Sequence, residues 1–157
     1  MGLVYNSASS LLHQIVGGSG FSTSNIKTYL GLSTTKPFQV PESGSYNINE
    51  PIQNSYSRIE LNASLFPNVT YEEDEDGNMI YSTTNNAEIH FNECTEAEGW
   101  TDSENRAEFK YFAIFSSSSG GTPIYVGQME NTEVSGIIIS KDTVPLVRKE
   151  ALTISVK

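Results

Sequence analysis

The sequence predicts an all-β protein: an antiparallel β-sandwich of the jelly-roll or immunoglobulin-like kind, with one short N-terminal helix. Three observations predict it. Beyond residue 28 apolar residues recur with period two, the pattern of strands half-buried on a core. Gly, Pro, Asn, Asp and Ser separate those runs at roughly regular spacing, as in sandwiches and barrels. Ser, Thr and Asn supply 47 of the 157 residues, with 12 Gly and 6 Pro, so long helical patterns are nearly missing. The length fits one domain, 1–157, able to bury a core without disulfides or metals.

The elements follow in order. Leu11, Leu12, Ile15 and Val16 recur at helical spacing; Ser7 or Ser9 could cap the start and Gly17-Gly18 would stop the helix. A stripe of two turns is not a stable helix alone, so residues 1–20 read as a docking segment, covered by the sandwich or by a neighbour. Thr28–Ser33 reads as a strand whose Gly31 signals a bulge or a close backbone approach. Pro37–Ser55, with Pro37, Pro41, Gly44 and Pro51, reads as a long surface loop, a place where partners often bind. Tyr56–Leu61 alternates Ser57, Ile59 and Leu61 against Tyr56, Arg58 and Glu60. Thr70–Glu73 and Met79–Thr83 flank Asp76-Gly77, a hairpin-turn dipeptide. Ala87, Ile89 and Phe91 alternate with Glu88 and His90. Phe109–Phe115 is apolar on nearly both faces, as a covered central strand is. After the Ser116–Gly121 turn come Pro123–Gly127, the β-rich run Val134–Ser140, and a last strand alternating Leu152, Ile154 and Val156.

Charge is unevenly placed. The chain carries −10, yet residues 71–108 hold twelve acids and one base, Arg106, a net −11; the remainder is net +1. The sandwich is thus near neutral and 71–108 reads as an acidic hairpin and loop insertion. Glu72, Glu73, Asp74, Glu75 and Asp76 are its densest part. Aligned on Gly77, an EF-hand would start at Glu72 and end at Thr83, so its bidentate Glu is missing. The negative balance argues against nucleic-acid binding, which needs a basic footprint. No charged leader, long apolar run or myristoylation pattern at Gly2 is present, so neither a signal peptide nor a membrane span is expected.

Catalytic chemistry finds little support. Cys94 alone can make neither an internal disulfide nor a thiolate zinc site, and His13 and His90 leave little for a histidine centre. Glu93, Glu96, Glu98, Asp102 and Glu104 are abundant carboxylates, but a glycosidase acid needs an apolar pocket. Trp100 beside them offers two readings, a sugar-stacking platform or a structural ring at a loop–core junction. No Gly-x-Ser-x-Gly elbow appears, and Gly17-Gly18-Ser19-Gly20 matches no nucleotide fingerprint. The sequons at Asn62 and Asn68 are expected by chance in so Asn/Ser/Thr-rich a chain. The expectation is no enzyme, no cofactor and no metal.

Order and spacing of motifs carry more than their chemistry. Gly17-Gly18 after the helix, Phe21, Tyr29-Leu30-Gly31-Leu32-Ser33-Thr34, Lys36-Pro37, Glu50-Pro51 and Tyr56-Ser57-Arg58-Ile59 come first. Asn86-Ala87-Glu88-Ile89-His90-Phe91, Tyr111-Phe112-Ala113-Ile114-Phe115, Gly120-Gly121, Tyr125, Gly127 and Ala151-Leu152-Thr153-Ile154 follow. Collinear over nearly the whole chain, they resemble the small β-sandwich virion proteins of tailed bacteriophages, a head-decoration or tail-fibre-like family. The chain departs from that pattern at Trp100-Thr101, where the family shows Trp-Gly, and in the Thr70–Thr84 hairpin.

The resemblance implies a non-catalytic structural virion protein, assembled in the bacterial cytoplasm as a homo-oligomer such as a trimer. Its partners would be the major capsid protein or tail proteins, with no nucleic acid and no membrane. The first reading is a capsid decoration or head-fibre subunit. The alternative is a tail-tip or tail-fibre subunit touching host glycans through Trp100 and the acidic segment. Partner contacts are expected at Leu11, Leu12, Ile15, Val16, Pro37, Pro41 and Pro51.

Overall fold

Side-chain alternation, turn dipeptides and glycine stops are enough to build most of the elements in the computed structural model, which describes residues 5–20, 26–130 and 135–157. Gly2, Phe21 and Val134, invoked above, lie outside the described residues. In chain order the elements are α1 (Tyr5–Ile15), β1 (Tyr29–Ser33), β2 (Phe38–Gln39), β3 (Tyr46–Asn47), β4 (Ile59–Glu60) and β5 (Val69–Glu73). They continue with β6 (Met79–Thr84), β7 (Ile89–His90), β8 (Tyr111–Phe115), β9 (Pro123–Gln128), β10 (Leu146–Val147) and β11 (Thr153–Val156). The sheets run β4-β1-β8-β9, β11-β6-β5, β10-β7 and β2-β3. The β1–β8, β8–β9, β5–β6, β6–β11 and β2–β3 pairs are antiparallel. The fold class is all-β with one short helix, and among the described residues no helix is long and apolar enough to cross a membrane.

The chain forms two compact units, each gathered from separated segments: 1–28, 60–89 and 147–157 in the first, 29–59 and 90–146 in the second. In the first, α1 packs on β6 and β11. Ala8, Leu12 and Ile15 of α1, with Tyr81 and Thr83 of β6 and Ile154 of β11, are buried there. The helix already runs at Tyr5, so Ser7 and Ser9 lie inside it and cap nothing. It stops where expected: Gly17 has φ +90°, and a Cβ there would fall 2.6 Å from the Leu61 carbonyl oxygen, so only glycine fits. The Gly18 N–H donates to the His13 carbonyl at 2.6 Å.

The β5–β6 hairpin turns at Asp76-Gly77 as its dipeptide predicts, with Gly77 at φ +81°. Asp74 organises the turn: its Oδ1 accepts from the N–H groups of Asp76 (3.0 Å) and Asn78 (2.8 Å). The Lys157 ammonium bonds the same carboxylate. Together they hold the Asp74 carboxyl down at about 2. Buried Asn85 staples the end of β6 to the approach of β11. It donates to the carbonyls of Ala87 and Arg148, both at 2.8 Å, and accepts from the Leu152 N–H at 2.8 Å.

In the second unit β8 lies between β1 and β9, and Ala113, Ile114 and Phe115 are fully buried, as their apolar run predicts. Around it sit Phe109, Trp100, Phe91, Cys94 and Ile139. Two expected strands differ. Tyr56–Leu61 contracts to β4, and its alternation is broken: Arg58 is buried and Ser57 exposed, because the Arg58 guanidinium is consumed by partners inside the unit, while Leu61 of the opposite set is buried as well. The run to Ser140 makes a single bridge, Phe109 with Ile137, and leaves Ile137 and Ile138 exposed.

Candidate docking and host-contact surfaces

Of the helix stripe, Leu12, Ile15 and Val16 are buried within the first unit and Leu11 is half-buried. The stripe is thus covered by its own unit's strands, and most of it has no surface to offer a partner. In the long loop Pro37 and Pro51 are likewise buried, leaving Pro41 exposed beyond the β2–β3 ladder. Two neighbours that sequence reasoning passed over carry apolar surface instead: Phe38 is 50 % exposed and Ile52 62 %. The available signal was a large apolar residue directly after a proline of a polar loop.

The base of that loop is locked by a polar cluster around buried Arg58. Arg58 grips Glu50 with two parallel bonds, Nε to Oε1 at 2.9 Å and Nη2 to Oε2 at 2.6 Å. Its Nη1 donates to the carbonyls of Ser117 (2.9 Å) and Gly120 (2.7 Å), and the guanidinium lies 3.3 Å above the Phe115 ring. Tyr56 donates its hydroxyl to Glu50 at 2.7 Å and accepts from the Leu32 N–H at 3.1 Å. Burial first, then the Glu50 carboxylate, push the Tyr56 hydroxyl far above its ordinary pKa, so it stays a donor. Gly31 is what admits the cluster to the sheet: a Cβ there would lie 2.7 Å from Glu50 Oε1. Of the two readings of Gly31, close backbone approach is the one realised.

Trp100 is wholly buried. Its indole N–H donates to the Ser55 hydroxyl at 2.8 Å, and its ring meets Tyr56 and Phe91 edge-on. The ring therefore presents no stacking face at the surface, and the glycan-contact expectation finds no support in its placement. The Glu96 carboxylate serves the same packing. Glu96 accepts from the Ser55 N–H at 3.0 Å and from its hydroxyl, which lowers the Glu96 pKa. Burial raises the pKa of the Cys94 thiol.

Asp102, also wholly buried, organises the 102–106 turn. Its Oδ1 accepts from the N–H groups of Glu104 (2.9 Å) and Arg106 (3.0 Å), and its Oδ2 from Arg106 Nε (2.7 Å) and the Thr34 hydroxyl (2.5 Å). Burial alone would raise its pKa; the donors outweigh it and hold the carboxyl at about 2. The acidic stretch 71–108 is consequently not one body. Its first half builds a hairpin in the first unit, with Glu72, Glu73, Glu75 and Asp76 exposed, and its second half builds loops of the second unit. No group of three or more His, Cys, Asp or Glu side chains among the described residues is arranged to hold a metal ion.

A family model described as Podophage GP4 fiber I protein gp80 matches residues 4–155. No curated protein and no solved structure matches the chain.

Proposed function

We propose that this chain, which belongs to the podophage GP4 fiber I protein gp80 family and is a structural fibre protein of a tailed-phage virion, is a head-fibre or capsid-decoration subunit bound to the major capsid protein. It acts as a homo-oligomer, assembled in the host cytoplasm, and without catalysis. One observation carries the docking part of this reading. The 37–52 loop is clamped at its base by the Glu50–Arg58–Tyr56 cluster, while Phe38, Pro41 and Ile52 stay exposed. A rigid loop bearing apolar side chains docks without a large ordering cost. Burial of Trp100 removes the sugar platform on which the tail-tip alternative relied. The two units are proposed to fold as a single β-sandwich domain, since the chain passes between them four times.

The test replaces Phe38 and Ile52 with Ser and follows the protein in separately purified heads and tails. Wild-type protein should appear with heads, and the double variant, folded by circular dichroism, should be missing from them. Wild-type protein found with tails would overturn the head assignment. Full incorporation of the variant would overturn the docking surface.

A further inference from the structure

We propose that β9 pairs antiparallel with β9 of a second copy of this chain, across a two-fold axis centred on Val126, so that two four-stranded sheets become one. β9 ends the sheet β4-β1-β8-β9, and among the described residues no strand lies on its other side. The Met129 N–H donates to the Lys110 carbonyl at the start of β8. Backbone groups alternate sides along a strand, so Gly127 and Tyr125, which stand opposite Phe112 and Ile114, also turn theirs to β8. Val126 and Gln128 then point their N–H and C=O groups outward, the template that an edge strand offers to another chain.

Edges of this kind are normally blunted by charge, by shortness or by a proline inside the strand. Among the described residues the remaining edges are blunted. β2, β3, β4, β7 and β10 have two residues each. β5 carries exposed Glu72 and Glu73, and β11 exposes only Thr153 of its four residues. β9 has six residues, Pro-Ile-Tyr-Val-Gly-Gln, with no charge and with its proline first. Its one irregularity is a bulge at Ile124, between the Ile114–Tyr125 and Phe115–Pro123 pairs, which leaves the register of 125–128 regular.

Charge and symmetry select the occupant. Each copy carries −10, so two copies repel wherever their acids meet, and along β9 none do. A two-fold axis at Val126 sets Val126 opposite itself, Gln128 opposite Ile124 and Glu130 opposite Thr122, so no carboxylate faces another. Ile124 and Val126, exposed in the single chain, gain apolar cover from the partner copy. Head-to-tail growth of the same sheet would lay β9 on β4, which offers two residues, one of them Glu60. Self-pairing of β9 is therefore the closed, isologous arrangement. It rests on the homo-oligomer proposed above and supplies that oligomer's interface and symmetry.

Analytical sedimentation of the purified full chain over a concentration series tests the pairing, with Val126→Pro and Val126→Lys as variants. The proline removes the central outward N–H without touching the β8 ladder, and the lysine sets two like charges across the axis. Wild type should sediment as a dimer, and each variant should associate at least about tenfold more weakly with its circular dichroism unchanged. Amide exchange at Val126 and Gln128 should slow as wild type associates, while Tyr125 and Gly127, already bonded to β8, should not change. Wild type that stays monomeric at every concentration would overturn this pairing and the homo-oligomer together. A trimer, a dimer that either variant leaves intact, or one whose Val126 and Gln128 amides exchange as in the monomer would overturn the pairing alone. Where the protein sits in the virion is decided separately, by the head and tail fractions.

Discussion

Asp102→Asn keeps the size of the side chain and removes its charge. In the folded chain four donors converge on the carboxylate, from Thr34, Glu104 and Arg106, and they hold its pKa at about 2 against an ordinary 3.8. A carboxyl whose pKa is depressed by folding contributes stability above its unfolded pKa and loses it as pH falls through the folded one. The difference of about 1.8 pH units corresponds to about 2 kcal/mol, at 1.36 kcal/mol per unit. The asparagine variant lacks that contribution at every pH and leaves the Arg106 guanidinium without its buried anion. Wild type should therefore be the more stable by at least about 2 kcal/mol at neutral pH, and the gap should shrink by about that amount between about pH 5 and pH 2. Urea unfolding of both proteins across that range measures it. Fluorescence of Trp100, the chain's one tryptophan, buried in the same unit, is the reporter. A stability gap that stays constant down to pH 2 would refute the reasoning, because it would mean that the folded carboxylate is not held charged by its donors.

The other predictions concern the loop clamp and the hairpin. Arg58→Met should cost about 2–4 kcal/mol by stranding the half-buried Glu50 carboxylate and two carbonyls, and adding Glu50→Gln should restore part of it; a cost under about 1 kcal/mol would deny the clamp. Unfolding of that variant and of wild type, followed by calorimetry, should show one transition, whereas two separated transitions would overturn the single-domain proposal. Neutralising Glu72, Glu73, Glu75 and Asp76 together should change stability by less than about 0.5 kcal/mol each, as exposed charges do, and leave virion incorporation intact. Loss of incorporation would put the hairpin at the docking face. Asp74→Asn, in contrast, should loosen the turn, measured as faster amide exchange at Asp76 and Asn78, because it weakens the grip on those N–H groups.

Local signals were read well where one residue type decides the backbone. Gly77 turns the hairpin and Gly17 ends the helix because each adopts a positive φ that side chains resist. The apolar run 109–115 announced β8 because a strand buried on both faces has no polar side to show. The motif order that resembled phage virion proteins was legible for another reason: collinear spacing survives even where each motif is weak, and the family match over residues 4–155 agrees with it.

Period-two alternation, however, says that two faces differ and not which faces inward. In Tyr56–Leu61 Arg58 of one set and Leu61 of the other are both inside, Arg58 because Glu50, eight residues earlier, and the carbonyls of Ser117 and Gly120 accept from its N–H groups. Trp100 amid carboxylates admitted two readings, a stacking platform or a structural ring. Its partner Ser55 stands 45 positions away, and no local pattern announces it.

By itself the sequence determined the all-β class, the turns, the helix stop and the phage-fibre family, since these follow from backbone preference, side-chain period and motif order along the chain. The tertiary structure decided which of the polar residues are interior. Arg58, Asp102, Asn85 and Trp100 are each buried with at least one partner distant in sequence satisfying their hydrogen bonds, and a polar group can leave water only where such partners converge. That convergence is also what separates the exposed apolar residues of the loop, Phe38 and Ile52, from the helix stripe and the tryptophan, which are enclosed.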